Sequence, residues 1–264
     1  MASDIVVMPE VLLQVRLNDH KKADEIFEIA ERSGYDGIEL DCTGFNADID
    51  TIYLRSVDYN MPIKSILAPT LTFRKPMNYL LHGDIETHSL FHTFKPRRIV
   101  FRVPNSPVLK DVSRYLFRDR LKYFKGLYGG PYISIENSAP SGSLKVPPVM
   151  DLKQLRDLAY DLDIFINFDV ANCAACGRDI LQAYDMLAPR ISGVHISDHG
   201  GRGTSHLVPG NGFLPLGMLL SKMKACKYKG SFTMELDQQE LAYRDSGDLM
   251  VLYKELIGYV KSHF

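Results

Sequence analysis

The sequence predicts an α/β fold of one architecture, a (β/α)8 or TIM barrel, in a single domain spanning residues 1–264. Three observations carry that expectation. Short β-prone runs alternate with longer amphipathic stretches along the chain, the order that builds parallel sheets through right-handed crossovers. Eight such units in 264 residues average 33 each, the usual length of a barrel repeat. The turn after the first run reads Leu17-Asn18-Asp19-His20. It has no glycine, whereas a doubly wound open sheet usually places a glycine-rich phosphate turn there.

The strands are expected at 11–17, 36–40, 63–67, 99–103, 132–136, 164–169, 191–196 and 232–235. Between them, 21–33 sets Ala23, Ile26, Phe27 and Ala30 on one stripe, with Asn18 or Asp19 as cap and Gly34 as stop. A short amphipathic helix over 50–59 ends ahead of Pro62. Further helices are expected over 77–94, 113–124, 152–162, 178–187, 216–225 and 249–260.

Composition narrows the function classes. The net charge is -1, from 31 Lys+Arg against 32 Asp+Glu, with 45% hydrophobic and 24% charged residues. These are globular values, not those of a disordered or collagenous chain. Near-neutrality argues against duplex nucleic acid as partner, because neutralising phosphates needs a basic surface. No apolar run approaches the roughly 18 residues of a membrane span, so no membrane partner is expected. The opening MASDIVVMPEVLLQVRL lacks a basic n-region and a small-residue cleavage site. Four cysteines without framework spacing fit a reducing compartment. A cytoplasmic protein is expected, and a homo-oligomer paired through outer barrel faces is compatible with the fold.

A barrel of this kind carries its site at the C-terminal strand ends, where side chains alternate with period two. That phase aims Gly37 and Glu39 of the second strand at the axis. It does the same for Tyr132, Ser134 and Glu136; Phe165, Asn167 and Asp169; Ile191, Gly193 and His195; and Ser231, Thr233 and Glu235. Four consecutive strands therefore end in Glu136, Asp169, His195 and Glu235 at one mouth. Three crowded carboxylates repel one another and are costly to bury unpaired. One divalent cation resolves both problems. The oxygen-rich donor set favours Mn²⁺ or Mg²⁺, while the imidazole keeps Zn²⁺ and Co²⁺ open.

Several motifs resemble the xylose-isomerase-like superfamily of sugar and sugar-phosphate isomerases and epimerases. They are Ser134-Ile135-Glu136-Asn137, Phe168-Asp169-Val170-Ala171-Asn172, Val194-His195-Ile196-Ser197-Asp198, Met234-Glu235-Leu236 and the early Gly34-Tyr35-Asp36-Gly37-Ile38-Glu39-Leu40. The segment 206–212, His-Leu-Val-Pro-Gly-Asn-Gly, resembles the family's His-x-x-x-Gly-x-Gly loop. The likeness covers almost the whole chain. It implies Glu136, Asp169, His195 and Glu235 as ligands of one divalent metal. Glu136 and Glu235 would also be the acid and base that move a proton through a cis-enediolate of a sugar or sugar phosphate. Glu39, Asn172, Asp198, Arg202 and His206 would face the substrate, with Arg202 suited to an anionic group. The implied alternatives are a metal-dependent sugar-acid or inosose dehydratase and a non-catalytic ligand-binding barrel.

The chain departs from that pattern in places. Asn172 stands where the family often has histidine, and the third and fourth strands end without the histidines of the superfamily's endonucleases. Lys64 and Arg102 are unusual on middle strands, and their phase is ambiguous. Cys173-Ala174-Ala175-Cys176 reads as small residues packing a tight turn rather than as a redox pair. His88 and His92, four apart, are expected to face solvent. Lys95-Pro96-Arg97-Arg98 reads as a solvated turn.

Overall fold

The computed structural model describes residues 7–16, 23–43, 48–69, 84–201, 204–237, 241 and 243–264. Its strands and helices follow in chain order. The first half holds β1 (Glu10–Val15), α1 (Ala23–Ser33), β2 (Gly37–Asp41), α2 (Ile49–Asp58), β3 (Ile63–Leu67), α3 (Asp84–Phe94), β4 (Arg98–Arg102), α4 (Lys110–Tyr128) and β5 (Ile133–Glu136). The second half holds α5 (Leu152–Asp161), β6 (Phe165–Asp169), α6 (Val170–Ala175), α7 (Ile180–Leu187), β7 (Ile191–Ile196), β8 (Asp198–Gly201), β9 (Thr204–Leu207), α8 (Leu216–Ala225), β10 (Ser231–Met234) and α9 (Ser246–His263).

Eight parallel strands close in the order β1-β10-β7-β6-β5-β4-β3-β2, each strand beside its sequence neighbours, which is the TIM barrel. Every predicted strand exists, with ends that move by a residue or two. Two elements escape the sequence pattern. The short helix α6 starts directly on the last residue of β6, and the antiparallel hairpin β8–β9 stands beyond β7. Neither is long enough to show a period.

Local chemistry sets the helix ends. Gly34 stops α1 at φ +87°, a conformation that suits glycine, and the next amide, Tyr35 N–H, returns to the Ala30 carbonyl at 3.2 Å. Asp48, Asp151, Asp179 and Asp245 each turn a carboxylate onto the first amides of α2, α5, α7 and α9, and Gln154 completes a capping box on α5. The caps expected at Asn18 or Asp19 and the stretch 77–83 of the third helix lie outside the described residues.

The main apolar core is the layer between barrel and helices. Ile38, Leu40, Ile66, Ile99, Phe101, Ile135, Ile166, Phe168, Val194 and Phe232 are all fully buried there. Each contributes roughly 1.5–3 kcal/mol by leaving water. Inside the barrel the lining is polar to an unusual degree. Ser65, Arg98, Ser134, Asn167 and Thr233 are buried where branched aliphatics normally dominate.

The structure corrects three expectations. The cluster Lys95-Pro96-Arg97-Arg98 is not a solvated turn throughout: Arg98 opens β4, is 6% exposed and donates to the Ser192 carbonyl. Tyr132 does not face the axis: it precedes β5, is 42% exposed and packs edge-on against Phe91. His88 is not solvent-facing: it stacks on Phe124 with centroids 5.0 Å apart and pairs with the Tyr128 hydroxyl. The Phe and Tyr residues of α4 supply an apolar wall that α3 can reach. His92 is exposed as expected.

Candidate metal centre

Strand register builds the site. Arg102 lies level with Glu136, Glu136 with Asn167, Asp169 with His195 and His195 with Thr233. Glu235 follows β10 directly and stays 6% exposed, while Glu39, Glu136, Asp169 and His195 are inaccessible to solvent. The four strand-end residues expected at one mouth do converge. Donor atoms of Glu136, Asp169 and His195 all lie within 4.8 Å of one another, and so do those of Asp169, His206 and Glu235. His195 Nδ1 is 2.5 Å from Glu235 Oε2 and 3.2 Å from Glu136 Oε2.

Charge explains the arrangement. Four buried carboxylates, Glu39, Glu136, Asp169 and Glu235, meet the cations Arg98 and Arg102 and the imidazole of His195. Arg102 donates from Nε to Glu136 Oε1 at 2.5 Å and from Nη2 to Glu235 Oε1 at 3.2 Å. Asn167 donates to Glu136 Oε2 at 2.9 Å. Burial raises Glu235, but His206, His195 and Arg102 outweigh it and hold this carboxyl well below its usual range. Burial lowers His195, yet Glu39, Glu136 and Glu235 raise it well above its usual value. The surplus negative charge falls on Asp169. Burial lifts its carboxyl to about 7; His206 opposes this, and Glu235 and Glu136 reinforce it.

These residues fit a divalent cation by the chemistry of their donors. Carboxylate oxygens outnumber nitrogens, as hard cations require, and a carboxyl forced toward its neutral form marks a place short of positive charge. His195 turns Nδ1 toward Glu235 and Glu136 at the mouth, while its Nε2 lies 2.6 Å from Glu39 Oε1 as an ion pair.

A family model for xylose isomerase-like TIM barrels matches residues 118–253. The chain belongs to this family. The match starts within α4 and reaches into α9, so it takes in the β5, β6, β7 and β10 ends that carry the four ligand candidates. An uncharacterized protein of Mycobacterium tuberculosis is 23% identical over 276 residues, covering 92% of this chain and 93% of that protein. Two solved structures share the fold. The 3-keto-D-glucoside 4-epimerase of E. coli superposes with TM-score 0.72 at 15% identity, covering 97% of this chain and 100% of that one. The D-allulose 3-epimerase of Methylomonas sp., solved with D-allulose, superposes with TM-score 0.74 at 12% identity, covering 97% and 98%.

The xylose isomerase-like barrel also shows where the other expected residues stand. Glu39 lies under His195, accepts from Ser65 Oγ at 2.6 Å and Gln14 Nε2 at 3.2 Å, and is held at about 2. Burial would raise Glu39, and the positive charges of His195 and Arg98 together with the Ser65 hydrogen bond reverse that. Asn172 does not hang free over the mouth. Its amide donates to Asp169 Oδ2 and to the Asn137 carbonyl, while Asp169 Oδ1 caps α6 through the Asn172 N–H at 2.8 Å. Asp198 is buried and accepts from the His199, Gly210 and Leu214 amides at 2.8, 2.9 and 3.0 Å, which ties both ends of the β8–β9 hairpin segment together. His206, in the left-handed region at φ +58°, reaches Ser197 Oγ at 3.1 Å and closes the second donor trio. Arg202 lies outside the described residues.

Sequence reasoning missed Gln14, Arg16 and Asp41 and left Arg102 unplaced. Arg16 Nε meets Asp41 Oδ2 at 2.7 Å, and the same period-two phase that selected Glu39 reaches Asp41. Lys64 points to the opposite end of the barrel, onto Glu10 at 2.9 Å. Cys173 and Cys176 are free thiols, and burial, with Asp169 adding to it, pushes Cys173 up to about 12. That is the reverse of a reactive thiolate.

Proposed function

We propose that the protein is a divalent-metal-dependent isomerase or epimerase acting on a sugar or sugar phosphate. One observation carries the reading: Glu136, Asp169, His195 and Glu235, from four consecutive barrel strands, converge at the C-terminal mouth. Glu136, Asp169, His195 and Glu235 would hold the metal, with Mn²⁺ or Mg²⁺ favoured by three carboxylates. When bound, the cation supplies Lewis-acid stabilisation to oxygen charge developing on the substrate.

The chain's own residues supply the rest. Glu136 and Glu235 carry the proton chemistry: one, as carboxylate, takes the proton α to the substrate carbonyl, and the other, entering as the carboxylic acid, gives its proton to the enediolate. Arg102 spans the two and donates to both, and Asn167 fixes the Glu136 carboxylate plane. Glu39 holds the His195 ring from below, and Asn172 holds Asp169. Both are assigned as positioning residues, while His206 and Arg202 are assigned to the substrate side.

The deciding experiment has two parts. Metal content is measured after purification without chelator, for the native chain and for Glu235→Ala. Ketoses and ketose phosphates are then screened in D₂O for exchange at the α-carbon. About one equivalent of metal per chain, strongly reduced in the variant, together with exchange that needs metal, is the expected result. Loss of water from the substrate would replace the reading with a dehydratase. Metal or sugar binding without any exchange would replace it with a binding barrel.

A further inference from the structure

A cluster of cations gathers at the barrel end opposite the metal centre. A pocket of about 770 Å³ opens at the N-terminal ends of the strands, a volume typical of small-molecule sites. Among the described residues five cations line it, Lys64, Arg97, Arg98, Lys227 and Lys229, against one carboxylate, Glu10. This excess is local, because the chain as a whole carries a net charge of -1.

Arg98 is the built part of this pocket. Only 6% exposed, it donates from Nη1 to the Ser192 carbonyl at 2.8 Å, from Nη2 to Ser231 Oγ at 2.9 Å and from Nε to Ser65 Oγ at 3.3 Å. The nearest carboxylate is Glu39, at 3.8 Å from Nη2. These bonds engage three of the five guanidinium N–H groups and fix its plane. Gly193 makes room for it, since a Cβ there would stand 2.0 Å from Nη1. On the wall beside it, Lys64 Nζ and Arg97 Nη1 both reach Glu10 Oε1 at 2.9 Å. Two cations already converge on one acceptor oxygen. Lys227 and Lys229 are exposed side chains of the segment leading into β10. Met8, Pro9 and Leu12 add an apolar wall.

We infer that this pocket binds a phosphorylated small molecule at the N-terminal face of the barrel. Donors arriving from β3, β4 and the segment before β10 surround a volume instead of forming a single fork. That suits a tetrahedral dianion with three acceptor oxygens better than a planar carboxylate. The apolar wall receives the body of the molecule. Glu10 occupies two of the cations and competes with the ligand for them. The pocket meets the metal centre only through the Arg98–Glu39 pair, at 3.8 Å.

Opposite-signed variants test the inference. Inorganic phosphate is titrated into the full chain by calorimetry, at low ionic strength and with chelator present so that the metal centre does not contribute. Saturable binding is expected. It should weaken roughly tenfold or more in Lys227→Glu/Lys229→Glu, since charge-assisted contacts are lost. It should tighten in Glu10→Gln, where the competing charge is gone, and fall as salt screens the exposed lysines. Both lysines are exposed, and thermal unfolding of the double variant beside the native chain checks that the fold is kept. No saturable binding, or an affinity indifferent to both changes, overturns the inference.

Discussion

The Arg102 guanidinium donates to Glu136 Oε1 at 2.5 Å and reaches across the barrel mouth to Glu235 Oε1 at 3.2 Å. One cation thereby braces the two carboxylates to which the proposed proton transfers are assigned. Arg102 itself is raised above its usual value: burial opposes this, and Glu136, Glu235 and Asp41 overcome it. The side chain therefore stays charged at any pH the protein meets.

Arg102→Met should leave two buried carboxylates without their shared partner. Removing one side of a buried ion pair costs about 3–5 kcal/mol, and the partial exposure of Arg102 puts the expected loss at the low end. The loss should be greatest in chelator and partly recovered by Mn²⁺, which restores positive charge among the same oxygens. Thermal unfolding of wild type and variant, each with chelator and with Mn²⁺, measures this. An equal loss in both conditions would show that Arg102 acts on the fold alone and not on the charge of the mouth.

The pH dependence has a definite sign. Asp169 is lifted to about 7, whereas an unfolded aspartate titrates near ~3.9. Between those values the native state keeps a proton that the unfolded chain releases. This group's contribution to stability is therefore fully present below about 4 and is lost as pH rises toward 7. Glu39, held at about 2, works oppositely: its contribution is present above the unfolded glutamate value near ~4.3 and lost as pH falls toward 2. A divalent cation needs Asp169 ionised, so binding below about 7 must expel its proton. The rise in melting temperature given by Mn²⁺ should be larger at pH 8 than at pH 5.5, with proton release on binding near pH 6. A Mn²⁺ effect of the same size at both values would remove Asp169 from the ligand set.

Gly193 leaves no room for a side chain in the barrel interior. An added Cβ would meet Arg98 Nη1 at 2.0 Å, its Cζ at 2.4 Å and Asn167 Oδ1 at 2.4 Å. None of these can retreat easily, because Arg98 is tied to Ser192 and Ser231, and Asn167 to Glu136. Gly193→Ala should therefore destabilise by about 1–3 kcal/mol or more, the range for overpacking. Urea unfolding of Gly193→Ala reads the loss, with Gly126→Ala, whose added Cβ meets nothing within 4 Å and whose φ is ordinary, as a comparison. A neutral Gly193→Ala would mean that Arg98 does not occupy the axis.

The fold was legible because a TIM barrel repeats its unit eight times. Alternation fixed the strands, and period two selected Glu39, Glu136, Asp169, His195 and Glu235 before any geometry was known. What period two cannot supply is reach. Arg102 and Arg98 sit four residues apart on β4, yet Arg102 serves the C-terminal mouth and Arg98 the N-terminal pocket. Each serves the barrel end nearest its own backbone, and which carboxylates so long a side chain meets there is not set by periodicity. Asn172 is the converse case. Its place after β6 matches a family substrate position, but α6 begins at once on Asp169 and turns the Asn172 amide back onto that carboxylate. The hairpin β8–β9 was invisible because four-residue strands carry too little pattern.

Asp198 offers the sharpest contrast between a residue at the mouth and a residue that organises it. Both carboxylate oxygens are taken by backbone amides: Oδ1 by His199 and Leu214, and Oδ2 by Gly210. Gly212 packs so closely that a Cβ there would lie 2.3 Å from Oδ1. The carboxylate is thus the hub of segment 198–214, which carries His206. Asp198→Ala would strand three amides, each bond to a charged group being worth about 1.5–3 kcal/mol. Water reaching the loosened segment would recover part of this, so a loss of about 2–4 kcal/mol is expected. Asp198→Asn keeps acceptor capacity on one oxygen and should lose less. If Asp198 organises His206, both variants should weaken metal-dependent exchange of the α-proton in step with increased amide exchange over 198–214. Activity lost at unchanged amide protection in Asp198→Asn would instead assign Asp198 to direct substrate contact.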